Sequence, residues 1–206
     1  MKDDFKNIVS TDWLEQHLEA PDIRIIDSSW YFPQEKRNAE QEFLECHIPR
    51  ASFFDIDKIK DNESDLPHML PPSAMFNSTV RKLGIGDGHK VVIYDGLGMR
   101  SAARLWWMFK VFGYSDVVVL DGGFPKWVKE NRSTTAEITE KEIRPLTIYE
   151  DKSIVADRDD VLRATKLNPC SIIDARSEAR FMGTAPEPRS GLRSGSIENS
   201  INVPFK

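Results

Sequence analysis

Cysteine is scarce in this 206-residue chain: Cys46 and Cys170 stand far apart, and neither belongs to a Cys-x-x-Cys pair. So sparse a set argues against a disulfide framework and gives no metal-ligand spacing. Long apolar runs are also missing. No stretch approaches the roughly 20 residues of a membrane span, and Met1-Lys2-Asp3-Asp4-Phe5 has no apolar signal core. Nor is charge of one sign concentrated. A net charge of −5 spread along the chain argues against a dedicated nucleic-acid surface. The expectation is a cytoplasmic globular protein of one or two domains with no membrane or nucleic-acid partner. At 40% apolar and 30% charged residues, the chain can bury a real core.

What is present is an alternation of short apolar runs with helical patterns. Ser10, Thr11 and Asp12 offer N-caps for a helix from Trp13 to Leu18. Asp22-Ile23-Arg24-Ile25-Ile26-Asp27 reads as a buried strand, and Ser52-Phe53-Phe54-Asp55-Ile56-Asp57 as another. Helix formers fill 40–44. A helix over 73–83 is expected to end at Gly84. Lys90-Val91-Val92-Ile93-Tyr94-Asp95 is the strongest strand signal. The loop Gly96-Leu97-Gly98-Met99-Arg100 follows, and Ser101 is expected to cap a helix through Phe112. Ala102, Leu105, Trp106, Phe109 and Phe112 keep the helical period there. Val117-Val118-Val119-Leu120 is a further strand, turning at Asp121-Gly122-Gly123. Strands alternating with helices predict an α/β domain whose mostly parallel central sheet is flanked by helices.

Residues 129–153 are charged and aperiodic, and they read as a solvated linker. After them the pattern restarts. A helix is expected over 153–166, and Cys170-Ser171-Ile172-Ile173-Asp174 matches Arg24-Ile25-Ile26-Asp27 in kind. Gly195-Ser196-Ile197-Glu198-Asn199-Ser200 falls where Cys46-His47-Ile48-Pro49-Arg50-Ala51 fell. The order and near-equal spacing mark an internal repeat of domain size. The expected organisation is a domain over 1–128, a linker over 129–153, and over 154–206 the N-terminal part of a second domain. After Pro49 the first unit supplies two more strands and their helices. The second reaches Val203-Pro204-Phe205-Lys206 without them, so a C-terminal part is expected to be absent from this stretch.

The ordered motifs His47-Ile48-Pro49, Phe54-Asp55-Ile56-Asp57, Pro67-His68-Met69-Leu70-Pro71, Val91-Val92-Ile93-Tyr94-Asp95, Ser101-Ala102-x-Arg104-x-Trp106-Trp107-Met108-Phe109 and Leu120-Asp121-Gly122-Gly123 resemble the two-domain rhodanese family. Asp174-Ala175-Arg176, Arg180-Phe181-x-Gly183-Thr184-x-Pro186-Glu187-Pro188-Arg189 and Asn202-Val203-Pro204-Phe205 extend the likeness into the second unit and favour the mercaptopyruvate branch over the thiosulfate one. Cys46 and Arg50 depart from the family's usual glycines beside His-Ile-Pro. Ser196-Ile197-Glu198-Asn199 replaces the second unit's His-Ile-Pro-Gly. The family's cysteine-bearing active loop is not in this stretch.

The resemblance implies a rhodanese-like fold and transfer of a sulfane sulfur from 3-mercaptopyruvate or thiosulfate, through a cysteine persulfide, to a thiol acceptor such as thioredoxin or to cyanide. It implies no metal or organic cofactor. It makes Arg180 and Arg189 the forks for a substrate carboxylate, and Asp57 with His68 a hydrogen-bonded relay reaching a serine of the absent loop. The alternatives are surface ion pairing for the arginines and loop support for the histidine. His47 is expected to cap its turn, His17 and His89 to be surface residues, and Cys170 to be inert packing. Cys46 lacks a helix N-terminus to activate it. Of Trp106 and Trp107, one is expected in the core and one at a domain contact. Two competing functions stay open: an inactive rhodanese module used for binding or regulation, and a phosphatase. The phosphatase reading needs a longer Cys-to-Arg phosphate loop, which this stretch lacks.

Overall fold

A computed structural model describes residues 7–166, 172–188 and 191–205. The chain forms two compact units, Met1–Asp151 and Lys152–Lys206. In the first, β1 (Ile8–Val9), β2 (Ile23–Asp27), β3 (Ser52–Phe53), β4 (Lys90–Tyr94) and β5 (Val117–Leu120) make one sheet in the order β1-β5-β4-β2-β3. Every pairing in it is parallel. Helices α1 (Thr11–Gln16), α2 (Ala39–Glu45), α3 (Ser73–Lys82) and α4 (Ala102–Val111) supply the four crossovers, and α5 (Gly123–Lys129) follows β5.

A sheet covered on both faces needs apolar side chains pointing both ways, which is why β4 and β5 read as continuous apolar runs. Alternation along the strands sorts those side chains into two cores. Ile26, Val91, Ile93, Val117 and Val119 meet Phe76 and Val80 of α3 and Leu105 and Phe109 of α4. Ile25, Val92, Tyr94, Val118 and Leu120 meet Leu14 of α1, Phe43 of α2 and Trp127 of α5.

The capping signals resolve individually. Ser10 accepts from the Trp13 amide at 3.1 Å and starts α1. Ser101 makes no cap bond to α4. The Asp95 carboxylate does that work instead, accepting from the Ala102 amide at 2.8 Å. The strand expected over 52–57 is two residues long, because Asp55 Oδ1 accepts from the amides of Asp57 and Lys58 and turns the chain. β1 carries no signal of its own. It exists because the edge of β5 offers it backbone partners, with the Val119 and Asp121 amides donating to the Asn7 and Val9 carbonyls.

Two surface expectations change, and so does the one for the paired tryptophans. His17 stacks on Trp13, and its Nδ1 lies 2.7 Å from the Trp13 carbonyl. His89 is wedged between the Gly86 amide and Arg24, each 2.9 Å from a ring nitrogen. Both are half-buried. Trp106 and Trp107 both lie partly buried against the same core of this unit, and Trp106 donates to the Val117 carbonyl. His47 does cap its turn: it is fully buried, with Nδ1 2.6 Å from the Phe43 carbonyl.

The 129–153 segment is the largest difference. Residues up to 151 run along the first unit as an ordered strap. Thr135 forms an antiparallel bridge with His47. Asp87 accepts from the Thr147 amide and hydroxyl, each at 3.0 Å. Leu146 enters the α3/α4 core. Gly86 lets the strap pass, since a Cβ there would stand 2.7 Å from the Pro145 carbonyl. Charge and missing periodicity hid this, because a single inward leucine in a charged run leaves no pattern.

In the second unit, α6 (Arg158–Ala164) is capped by Asp157, whose side chain accepts from the Asp160 amide. Strands β6 (Ile172–Asp174) and β7 (Ser200–Asn202) pair in parallel, and α7 (Glu178–Phe181) lies between them in the chain. Ile173, Ile201 and Val203 are each more than half exposed on this small sheet.

Leu146→Ala is expected to destabilise the first unit by about 2–4 kcal/mol, where a solvated linker would lose almost nothing. Urea denaturation monitored by tryptophan fluorescence decides between these outcomes.

Candidate active site

In a parallel sheet of this order, the connection after β2 leaves to one side and that after β4 to the other. The crevice between them, at the carboxyl ends of the strands, is the natural site. Here Asp27 ends β2 and Asp95 follows β4, and both are buried. Ser29 joins the two loops: its hydroxyl donates to Asp27 Oδ1 and accepts from the Gly96 amide at 2.8 Å. A Cβ on Gly96 would meet the Tyr31 hydroxyl at 2.2 Å, so any larger residue there would displace that side chain.

The 96–101 loop has the geometry of an anion cradle at a helix N-terminus, but its own carboxylate occupies it. Asp95 accepts from the amides of Leu97 and Ala102, each at 2.8 Å, and meets the positive end of α4. No thiol lies in this loop. Arg100, which forms a fork on Glu35, also turns away from the cradle. A cavity of about 220 Å³ opens nearby, lined by Asp27, Ser29, Tyr31, Arg37, Glu42 and Cys46 among others. Cys46 is an exposed free thiol.

Burial pushes the Asp27 carboxyl up to about 6, against the opposing hydrogen bonds from Ser29 and Tyr94 and with a smaller push from Asp95. The proton is therefore held more tightly in the folded state than in the unfolded chain.

Structure brings Asp57 and His68 together. Asp57 Oδ1 lies 2.6 Å from His68 Nε2. The ring hydrogen on Nε2 then faces the carboxylate, leaving Nδ1 as the free acceptor. His68 sits at φ +56, a left-handed conformation for a non-glycine residue. Its carbonyl is clamped by Arg104 Nη2, and the Arg104 guanidinium lies 4.6 Å over the Trp107 ring. Trp30 Nε1–H donates to Asp57 Oδ2 at 3.0 Å. Sequence reasoning passed over Trp30, which carries no motif of its own.

In the second unit, Arg180 is not a free fork. Its Nε and Nη2 both donate to Glu187 Oε2, at 3.1 and 2.5 Å. Arg176 donates to Glu187 Oε1 at 2.8 Å and to Asp174 at 2.6 Å. The hydrogen bond from Arg180, aided by the charge of Arg176, holds the Glu187 carboxyl below its ordinary range. Asp174 is lowered chiefly by its bond from Arg176. Alternating Asp174, Arg176, Glu187 and Arg180 thus form a continuous ion-pair chain. Glu187 was quoted within a motif, but no role followed from the sequence. A cleft of about 550 Å³ lies beside Asp174, Arg176, Glu187 and Arg193. Arg189 and Cys170 fall outside the described residues.

The family model for the rhodanese-like domain matches residues 10–130. The Arabidopsis thaliana thiosulfate/3-mercaptopyruvate sulfurtransferase 1, mitochondrial, is 44% identical over 96% of this chain, which spans 58% of that relative. Rat 3-mercaptopyruvate sulfurtransferase is 39% identical over 98% of this chain, which spans 70% of that protein. The crystal structure of SseA from Escherichia coli, a 3-mercaptopyruvate sulfotransferase, matches with a TM-score of 0.86 at 38% identity, over 96% of this chain and 74% of its own.

A carboxyl raised by folding stabilises the protein below its unfolded value, and that contribution is lost as pH rises through about 6. Wild type is therefore expected to lose on the order of 2–3 kcal/mol relative to Asp27→Asn between pH 4 and 7. Parallel stability profiles from urea melts across that range would refute it.

Proposed function

This chain belongs to the rhodanese-like family, and on that premise we propose that it is the greater part of a sulfurtransferase acting on 3-mercaptopyruvate or thiosulfate. The observation that carries the proposal is the match to sulfurtransferases along both units, at 44% and 39% identity. The organisation proposed is a non-catalytic first domain followed by the opening part of a catalytic one. The nucleophilic cysteine is assigned to sequence beyond residue 206.

The chemistry is the one the family likeness implies. A cysteine thiolate attacks the sulfur of 3-mercaptopyruvate, whose C–S bond breaks as pyruvate leaves as its enolate and takes a proton, or the outer sulfur of thiosulfate, whose S–S bond breaks as sulfite leaves; either route puts a persulfide on the cysteine. A thiol acceptor such as thioredoxin, or cyanide, then takes that sulfur and restores the thiolate. No organic cofactor takes part. Arg180, with Arg189, receives the donor's carboxylate. Glu187 aims Arg180 by holding Nε and Nη2, which leaves Nη1 for the substrate. His68, its tautomer set by Asp57, moves a proton at Nδ1 for a hydroxyl of the cysteine loop. Among the described residues no helix is long and apolar enough to cross a membrane. The proposed location is the cytoplasm.

The inactive-module alternative draws on Asp95, whose carboxylate occupies the first unit's loop. The two functions separate in one assay. A form extended through the cysteine loop should release pyruvate from 3-mercaptopyruvate with a thiol acceptor, while residues 1–206 alone should not. In the extended form, Arg180→Ala is expected to raise KM about 10- to 100-fold, the scale of a lost charged hydrogen bond. Glu187→Gln should raise it by a smaller factor. An unchanged KM for Arg180→Ala would remove the carboxylate assignment, and an inactive extended form would favour the module.

A further inference from the structure

We infer that Trp30 is a positioning residue for the Asp57–His68 couple, acting through Asp57; the inference rests on the relay role proposed above. Alone, Asp57 is a poor orienting partner. Its side chain is 61% exposed, so water competes for both oxygens and the carboxylate can turn. Two contacts remove that freedom. The Asp57 amide is tied to Asp55 Oδ1 at 2.9 Å, which fixes the turn after β3. The Trp30 indole N–H holds Oδ2 at 3.0 Å, which leaves Oδ1 directed at His68 Nε2.

The same indole touches the other partner. Trp30 and His68 meet edge to face, with ring centroids 5.0 Å apart and planes at 82°. Phe32 supports Trp30 in turn, edge to face at 4.9 Å. The sheet places the indole beside the carboxylate. Trp30 lies three residues past β2 and Asp57 four past β3, and these strands are neighbours with Asp27 paired to Phe53. One side chain thereby fixes the carboxylate rotamer and covers the imidazole. The consequence is a histidine locked with its proton on Nε2 and Nδ1 open.

Ring ¹⁵N shifts of His68 in this chain report which nitrogen carries the proton in the neutral form. Trp30→Phe keeps an aromatic ring and deletes the donor. It is expected to raise the Nδ1–H share about threefold, equivalent to roughly 0.7 kcal/mol, a part of what one hydrogen bond to a charged group contributes. Asp57→Ala should raise the share at least as much, and Trp30→Phe added to Asp57→Ala should add nothing. The amide spectrum of each variant verifies its fold. If Asp57→Ala leaves the share unchanged, the couple fails, and the relay with it. If Asp57→Ala raises it while Trp30→Phe does not, the relay stands and the role given to Trp30 is wrong. An equal rise from Trp30→Phe in both backgrounds would place its action on the imidazole directly, which also overturns the inference.

Discussion

The parallel pairing of β2 with β4 is the constraint on which the site depends. Five consecutive residue pairs, Ile23 with Lys90 through Asp27 with Tyr94, set the two strands level at their carboxyl ends. A slip of one residue would exchange Ile25 for Ile26 between the two cores. It would also break the alignment that lets Ser29 bond both Asp27 and the Gly96 amide. Because both sheet faces are covered, polar atoms at the strand ends cannot reach water freely. The Asp27 and Asp95 carboxylates there accept from backbone amides two residues on. Asp27 with Ser29 and Asp95 with Leu97 are the same local solution used twice.

Legibility in the sequence tracks how much local chemistry each element carries. β2, β4 and β5 were plain because burial on both faces writes an apolar run that nothing else explains. The Asp57–His68 couple was legible only through family likeness, since the two residues are 11 positions apart in a loop without a period. β1 and the 129–151 strap were not legible, because each is held by partners far along the chain. Two residues of strand, or one leucine in a charged run, fall below any local signal. Ser101 was a reasonable cap by residue type, but Asp95 reached the α4 amide from the other end of the loop. Proximity in space overrode adjacency in sequence.

The ion-pair chain of the second unit alters what an arginine fork can mean here. A guanidinium already holding Glu187 on two nitrogens has given up part of its capacity, but it has lost rotational freedom as well. For substrate binding the second effect works in favour of affinity, because the ordering cost of a long side chain has been met in the free protein. Arg176 shares the same acid from the other side, so Glu187 cannot swing away with Arg180.

Turn geometry ties the two units together as versions of one design. Arg50 has φ +67. Asn199, at the matching turn of the second unit, has φ +61. Both turns therefore demand the left-handed region that favours glycine, and this chain meets the demand with other residues. Asparagine reaches that region at modest cost. Arginine needs help, and it has it: Arg50 Nη1 donates to the Leu18 carbonyl at 2.7 Å and pairs with Glu19 at 3.1 Å. The same backbone conformation thus occurs in both turns on different residues. The likeness between His47-Ile48-Pro49-Arg50 and Ser196-Ile197-Glu198-Asn199 therefore lies in backbone conformation more than in residue identity.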